Sequence, residues 1–155
     1  MNIKIISIAS KKTEYESIIS DYLGRLPKQI TSEHIKIPIV RRTKKQSINQ
    51  IIEAEGKNFL EKIADRETLI VLDQRGRSIS TNEFSNWMQD WIDNAIDPIF
   101  GIGGPDGFSE SVLNRADKIL SLSSMTLPHS LVPVILAEQL YRSWSILNHL
   151  PYHRS

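Results

Sequence analysis

Thr68-Leu-Ile-Val-Leu72 is followed by the turn Asp73-Gln-Arg-Gly76, then by Ser80-Thr-Asn-Glu-Phe-Ser-Asn-Trp-Met-Gln-Asp-Trp91, and later by Gly101-Ile-Gly-Gly-Pro-Asp-Gly107. The first segment is a short apolar run of strand character. The second carries apolar residues at Phe84, Trp87, Met88 and Trp91, the spacing of one helix face, and opens with Ser80 and Glu83 placed for a capping box. The third receives another strand. A strand, a helix and a second strand in this order form the unit of a parallel sheet, because parallel strands need a crossover between them.

The same alternation runs outward in both directions. Ile3 to Ile8 reads as the first strand, and Thr13 with Glu16 as the capping box of a helix bearing Tyr15, Ile18, Ile19, Tyr22, Leu23 and Leu26, stopped by Pro27. A second strand has Ile35, Ile37 and Ile39 on one face, and Pro38 marks it as an edge or an ending strand. After the basic run Arg41, Arg42, Lys44, Lys45, a helix from about Ser47 carries Ile48, Ile51, Ile52, Phe59 and Ile63. The strand that starts at Thr68 ends at Leu72. A short helix spans Ser109 to Arg115, a fifth strand Lys118 to Leu122, and a last helix Leu131 to Leu147. That helix is apolar around most of its circumference, so a second face needs cover, most simply from a second copy of the chain. The fold class expected is α/β: a mostly parallel sheet flanked by helices, in one domain over 1–155.

Composition fits one such domain. The 155 residues, 40% hydrophobic and 24% charged, allow burial of about two thirds of the unfolded surface without disulfide or metal staples. Cysteine is absent, which excludes thiolate catalysis, zinc ribbons and iron–sulfur ligation. The 19 Lys+Arg against 18 Asp+Glu leave no bulk field to draw in a polyanion, so a nucleic acid needs a local patch. Lys4 interrupts the apolar start, and no run approaches the length of a membrane span, so a cytoplasmic protein with no membrane partner is expected.

Familiar site motifs fail. The first strand is followed by Ser10-Lys-Lys-Thr13 with no glycine, and Asp106 stands where a Gly101/Gly103 dinucleotide fingerprint needs its third glycine. P-loop, Gly-x-Ser-x-Gly and H-E-x-x-H patterns are missing as well, so triphosphate hydrolysis, an α/β-hydrolase elbow and a metal site are not expected. What remains is three late strand ends, at Leu72, Gly103-Gly104 and Leu122 to Pro128. In an open α/β sheet such carboxyl ends form the ligand crevice. The glycines either let a ligand approach the backbone or serve tight turns, and the local pattern fits both.

Four stretches then resemble one family: Ile102-Gly-Gly-Pro-Asp-Gly107, Leu122-Ser-Ser-Met-Thr-Leu-Pro-His129, Ala137-Glu-Gln-Leu-Tyr-Arg-Ser-Trp144 and Pro151-Tyr-His-Arg154, with Tyr22-Leu-Gly-Arg-Leu-Pro27 upstream. In order, spacing and chain length they are similar to the RlmH family of ribosomal RNA methyltransferases. The resemblance implies the SPOUT class: a C-terminal trefoil knot, an obligate homodimer, and S-adenosyl-L-methionine as methyl donor. It implies methylation at N3 of a pseudouridine in the large-subunit rRNA hairpin at the ribosomal subunit interface, in the assembled ribosome. It places the cofactor on Leu72, Gly103, Gly104, Leu122, Ser123, Ser124, Met125, Thr126, Leu127 and Pro128. Asp106 departs from the Glu of the family pattern, and Pro133 from an Arg.

Acceptor-side candidates are His129, Glu138, Arg142, Tyr152, His153 and Arg154. The histidines can accept a proton near neutrality, the arginines can hold phosphate or an anionic base, and Tyr152 can stack on a base. Glu138 and Arg142, four apart on one helix, also read as a scaffold ion pair. The Arg41 to Lys45 cluster reads as a phosphate grip or as solvated surface, and His34 as structural. A non-catalytic ribosome-binding factor and a small hydrolase are the competing classes.

Overall fold

The protein was analysed as a computed structural model, which describes residues 1–9 and 13–154. Ser10–Lys12, part of the glycine-free turn noted above, lies outside the described residues. Five strands and five helices alternate: β1 (Asn2–Ile8), α1 (Glu16–Gly24), β2 (Thr31–Ile37), α2 (Ile48–Leu60), β3 (Thr68–Ser78), α3 (Thr81–Asp93), β4 (Pro98–Ile102), α4 (Glu110–Arg115), β5 (Lys118–Ser121) and α5 (Val132–Leu147). The strands form one sheet in the order β2-β1-β4-β3-β5, and every pair is parallel. β2 pairs only with β1 and stops before Pro38, as the proline requires.

Helices cover both faces, so the central strands have apolar side chains on each. Ile70, Leu72, Phe100 and Ile102 pack with α1, α3 and α5 through Leu23, Phe84, Met88, Trp91, Leu136 and Leu140. Leu69, Val71 and Ile99 pack against α2 and α4 through Phe59, Val112 and Leu113. The aromatic stripe of α3 is core: Phe84, Met88 and Trp91 are buried, with ring contacts from Phe84 and Trp91 to Phe100. At Gly101 a Cβ would stand 2.6 Å from Cζ of Phe59, so the absent side chain makes room for that ring.

Capping shows which local signals hold. Ser80 accepts from the Glu83 N–H at 3.1 Å, and the Glu83 carboxylate accepts from the Ser80 N–H at 3.0 Å, a complete box. Ser47 and Gln50 make another. Ser80→Ala is therefore expected to lower stability by about 1 kcal/mol, read by urea unfolding. Thr13 and Glu16 do not make a box. The helix begins at Glu16 with Tyr15 as its cap, and the Thr13 hydroxyl donates to the Glu16 carboxylate instead.

The larger departure is in β3. The expected strand end at Leu72 is a bulge, after which the strand resumes to Ser78, and both Leu72 and Arg77 pair with Leu120 of β5. Asp73 to Gly76 is the excursion between the two pairings. Gly76 crosses against β5 so closely that a Cβ would lie 2.6 Å from the Ile119 carbonyl carbon. The Asp-x-x-Gly pattern serves a turn or a bulge equally well, and only the pairing with a distant strand distinguishes them.

Candidate functional site

The ends of β4 and β5, with the bulge of β3 between them, open into a cleft of about 580 Å³. One wall is Leu72 with the bulge residues Asp73, Gln74 and Arg75. The floor is the glycine loop from Ile102 to Phe108, and the other wall runs from Leu120 to Pro128, closed off by His129 and Val132. The volume is that of a small-molecule site, and the mixture of leucine walls with exposed loop backbone suits a ligand that has an apolar ring and polar ends.

The loops are held by their own side chains. Ser121 donates to the Ser123 carbonyl at 3.0 Å, and the Ser123 hydroxyl accepts from the Met125 N–H at 2.9 Å, fixing the turn that carries Met125 outward. Gln74 Nε2 donates to Thr126 Oγ1 at 3.1 Å, tying the bulge to the opposite wall. Asp73 sits below the ordinary carboxylate range: burial pushes it up, but the hydrogen bonds and charge of Arg75 more than reverse this. Arg75 also reaches Glu110 at 3.1 Å.

The size of the glycines is set by what lies behind them. A Cβ on Gly103 would come 3.0 Å from the Gly107 carbonyl carbon and 3.2 Å from the Phe108 ring, and one on Gly104 would meet Glu55 Oε2 at 3.1 Å. Their small size lets the loop pack on the protein, and the loop in turn forms the cleft floor. Gly107 alone has a left-handed backbone, with φ of 81°.

Of the cofactor residues expected from sequence, Leu72, Gly103, Gly104, Leu122, Ser123, Met125, Thr126, Leu127 and Pro128 line the cleft; Ser124 does not. Gln74 and Arg75 were missed because their segment reads as a turn. Glu55 was also missed, although it falls four residues after Ile51 and four before Phe59, on the buried stripe of α2.

The acceptor-side candidates divide. His129 lines the cleft and also a small cavity beside it that includes Ser7, His34 and Glu16. Glu138 and Arg142 on α5 gather instead with Tyr152 and His153 of the tail, and none of them lines the cleft of its own chain. His149 turns the tail back with φ of 52°. Tyr152 then donates to Glu138 Oε1 at 3.1 Å, Arg142 Nε donates to the same oxygen at 2.9 Å, and Arg142 meets His153 Nδ1 at 3.3 Å. Burial, with hydrogen bonds to Tyr22 and Glu138, keeps the Tyr152 phenol well above its ordinary range and therefore neutral. Arg154 is exposed.

His34, read as structural, is buried between β1 and α1. Its Nε2 lies 2.9 Å from Ser7 Oγ and its Nδ1 3.8 Å from the Glu16 carboxylate, which also pairs with Lys36. Burial pushes the imidazole below its ordinary range against the pull of Glu16. Since the folded state resists protonation more than the unfolded chain, stability is present at and above neutrality. It is lost as pH falls below the ordinary imidazole range. His34→Leu is expected to flatten that acid limb in unfolding measurements across pH, and an unchanged limb would assign it to other groups.

A family model described as "Predicted SPOUT methyltransferase" matches residues 1–153. The chain belongs to the SPOUT methyltransferase family. Two relatives, each named Ribosomal RNA large subunit methyltransferase H, come from Francisella philomiragia, 41% identical over 99% of this chain and 100% of the other, and from Thioalkalivibrio sulfidiphilus, 39% identical over 99% of each chain. Among solved structures, the SpoU methyltransferase AviRb from Streptomyces viridochromogenes, in complex with the cofactor AdoMet, overlaps 93% of this SPOUT chain and 57% of its own. Its TM-score is 0.48 at 11% identity, too loose an overlap to transfer anything. Among the described residues, no helix is long and apolar enough to cross a membrane, and no group of three His, Asp or Glu could hold a metal ion.

Proposed function

We propose that this chain transfers the methyl group of S-adenosylmethionine to N3 of a pseudouridine in large-subunit (23S) ribosomal RNA, acting on the assembled ribosome in the cytoplasm as a homodimer. The observation that carries this reading is the cleft: nine residues expected from sequence to hold the donor lie around one cavity between the bulge of β3 and the ends of the parallel strands β4 and β5. The relatives' name supplies the substrate class.

The bound donor supplies an electrophilic methyl on a sulfonium. N3 of the acceptor would take that methyl and give up its proton to a base or to solvent, leaving a neutral thioether in the cleft. Chemistry of this kind asks the protein mainly for alignment and for exclusion of water. Leu72, Leu122 and Leu127 supply apolar walls, and the backbone at Gly103, Gly104 and the 123–128 turn supplies polar contacts. His129, at the junction of the cleft and the smaller cavity, is the acceptor-side candidate that lines the cleft.

Tyr152, Arg142 and Glu138 are built as a set but do not line the cleft of their own chain, which supports a dimer in which the tail of one subunit serves the cleft of the other. The apolar circumference of α5 and the exposed Ile18 on α1, which packs against it, support the same arrangement. Membership of the SPOUT family supports a knotted C-terminal half, a rare exception to unthreaded connections, and the whole chain then acts as one domain.

Calorimetric titration tests the donor site. Binding of S-adenosylmethionine, competed by S-adenosylhomocysteine and lost on Gly103→Asp in a still-folded protein, is the expected result. Retained binding in that variant would move the donor elsewhere.

A further inference from the structure

The basic loop between β2 and α2 takes no part in the site so far. Arg41, Arg42, Lys44 and Lys45 are all exposed. Two carboxyl groups lie between this loop and the glycine loop, and one of them, Asp106, joins the two. Glu55 on α2, only 2% exposed, accepts from the Val40 N–H at 3.0 Å. Its Oε2 has no partner among the described residues and lies under Gly104. Asp106, in the glycine loop itself, pairs with Arg42. Asp106 lines the cleft, and its side chain is 22% exposed against 55% for Arg42. One end of this ion pair therefore belongs to the cleft wall and the other to the basic surface. Burial raises the Glu55 carboxyl, with the charge of Asp106 adding to the effect.

We propose that Arg42 is shared between Asp106 and a phosphate of the RNA acceptor, so that RNA binding on the basic loop and methyl-donor binding in the cleft are linked through the Asp106 carboxylate. The inference rests on the reading of the cleft as the donor site. An exposed ion pair is held weakly, whereas a guanidinium with spare N–H donors beside Arg41, Lys44 and Lys45 is a good phosphate ligand. A phosphate that takes Arg42 leaves Asp106 without its counter-ion. The cleft then favours a cationic sulfonium over the neutral thioether left after transfer, so bound RNA selects donor over product. Linkage runs both ways, so bound donor strengthens RNA binding; removing Asp106 likewise frees Arg42 for the phosphate.

Two measurements on the full chain test this. The first is calorimetry without RNA on wild type, Arg42→Gln, Asp106→Asn and the double variant. Arg42→Gln, which imitates capture of the guanidinium, should raise the preference for S-adenosylmethionine over S-adenosylhomocysteine about threefold to tenfold, within the usual range of coupling between sites. Neither variant carrying Asp106→Asn should show the rise. The second is cosedimentation with ribosomes across a salt series. Arg42→Gln should weaken binding and lower the salt slope by about one phosphate contact, while Asp106→Asn should tighten it. An unchanged donor-to-product ratio in Arg42→Gln, or ribosome binding that is unchanged or weaker in Asp106→Asn, overturns the proposal while wild-type binding of donor and ribosome leaves the cleft reading standing. Failure of wild type to bind the donor overturns both.

Discussion

Gly76→Ala is expected to lose about 1–3 kcal/mol of stability, the usual cost of forcing extra volume into a packed site, and to lose most of its affinity for S-adenosylmethionine. The added methyl has nowhere to go: its carbon would stand 2.6 Å from both the carbon and the oxygen of the Ile119 carbonyl and 2.7 Å from the Leu120 carbonyl carbon. These are backbone atoms of a strand paired on both sides of the bulge, so the bulge has to move rather than β5. Asp73, Gln74 and Arg75 move with it, and the Gln74–Thr126 bond across the cleft is lost. Gly24→Ala is the matched control, because nothing lies within 4 Å of its added carbon; it should leave binding intact and stability equal or slightly higher. Urea unfolding and donor titration on both variants decide the matter, and a Gly76→Ala protein as stable and as avid as wild type would mean that the crossing against β5 is not as tight as described.

The second large effect concerns the tail. A chain ending before Pro151 should keep donor binding and lose methyl transfer, and Gly103→Asp should lose both. If the tail of one subunit serves the cleft of its partner, mixing the two inactive proteins should restore activity. Random reassortment makes half the dimers mixed, and each mixed dimer has one intact composite site, so about a quarter of wild-type activity is expected. The alternative, in which Tyr152 serves its own cleft, gives no recovery because every site then lacks one component. In the folded chain Tyr152 is engaged with Glu138 and with the ring of Tyr141, 4.8 Å away between centroids, and it does not line the cleft of its own chain.

Much of this architecture is legible in single residues. Ser80 with Glu83, Pro38 at the end of an edge strand, and the Phe84, Met88 and Trp91 stripe each predict a local feature that forms, because local hydrogen bonding and burial period decide them. The same reasoning misplaces the start of α1, where Thr13 and Glu16 have the residue types of a box but bond side chain to side chain instead. It also ends β3 at Leu72, since pairing of Arg77 and Ser78 with β5 is a contact between distant segments that no local pattern reports. The cleft follows from the rule that ligands gather at the carboxyl ends of parallel strands. What the residue types alone could not show is that the six acceptor-side candidates part company, His129 at the cleft and the tail cluster elsewhere, because that depends on where a left-handed turn at His149 sends the chain. Glu55 and Asp106, which lie between the basic loop and the glycine loop, are ordinary charges in the sequence, and only their packing gives them a role.

The most direct test of the central claim is transfer of labelled methyl from S-adenosylmethionine to ribosomes from cells lacking this modification, followed by mapping of the labelled nucleoside. Label at N3 of a pseudouridine in large-subunit rRNA, absent with Gly103→Asp, is the predicted result. Ribosomes that bind the protein and its donor yet gain no label would contradict it, and would make the chain a ribosome-binding factor without catalysis.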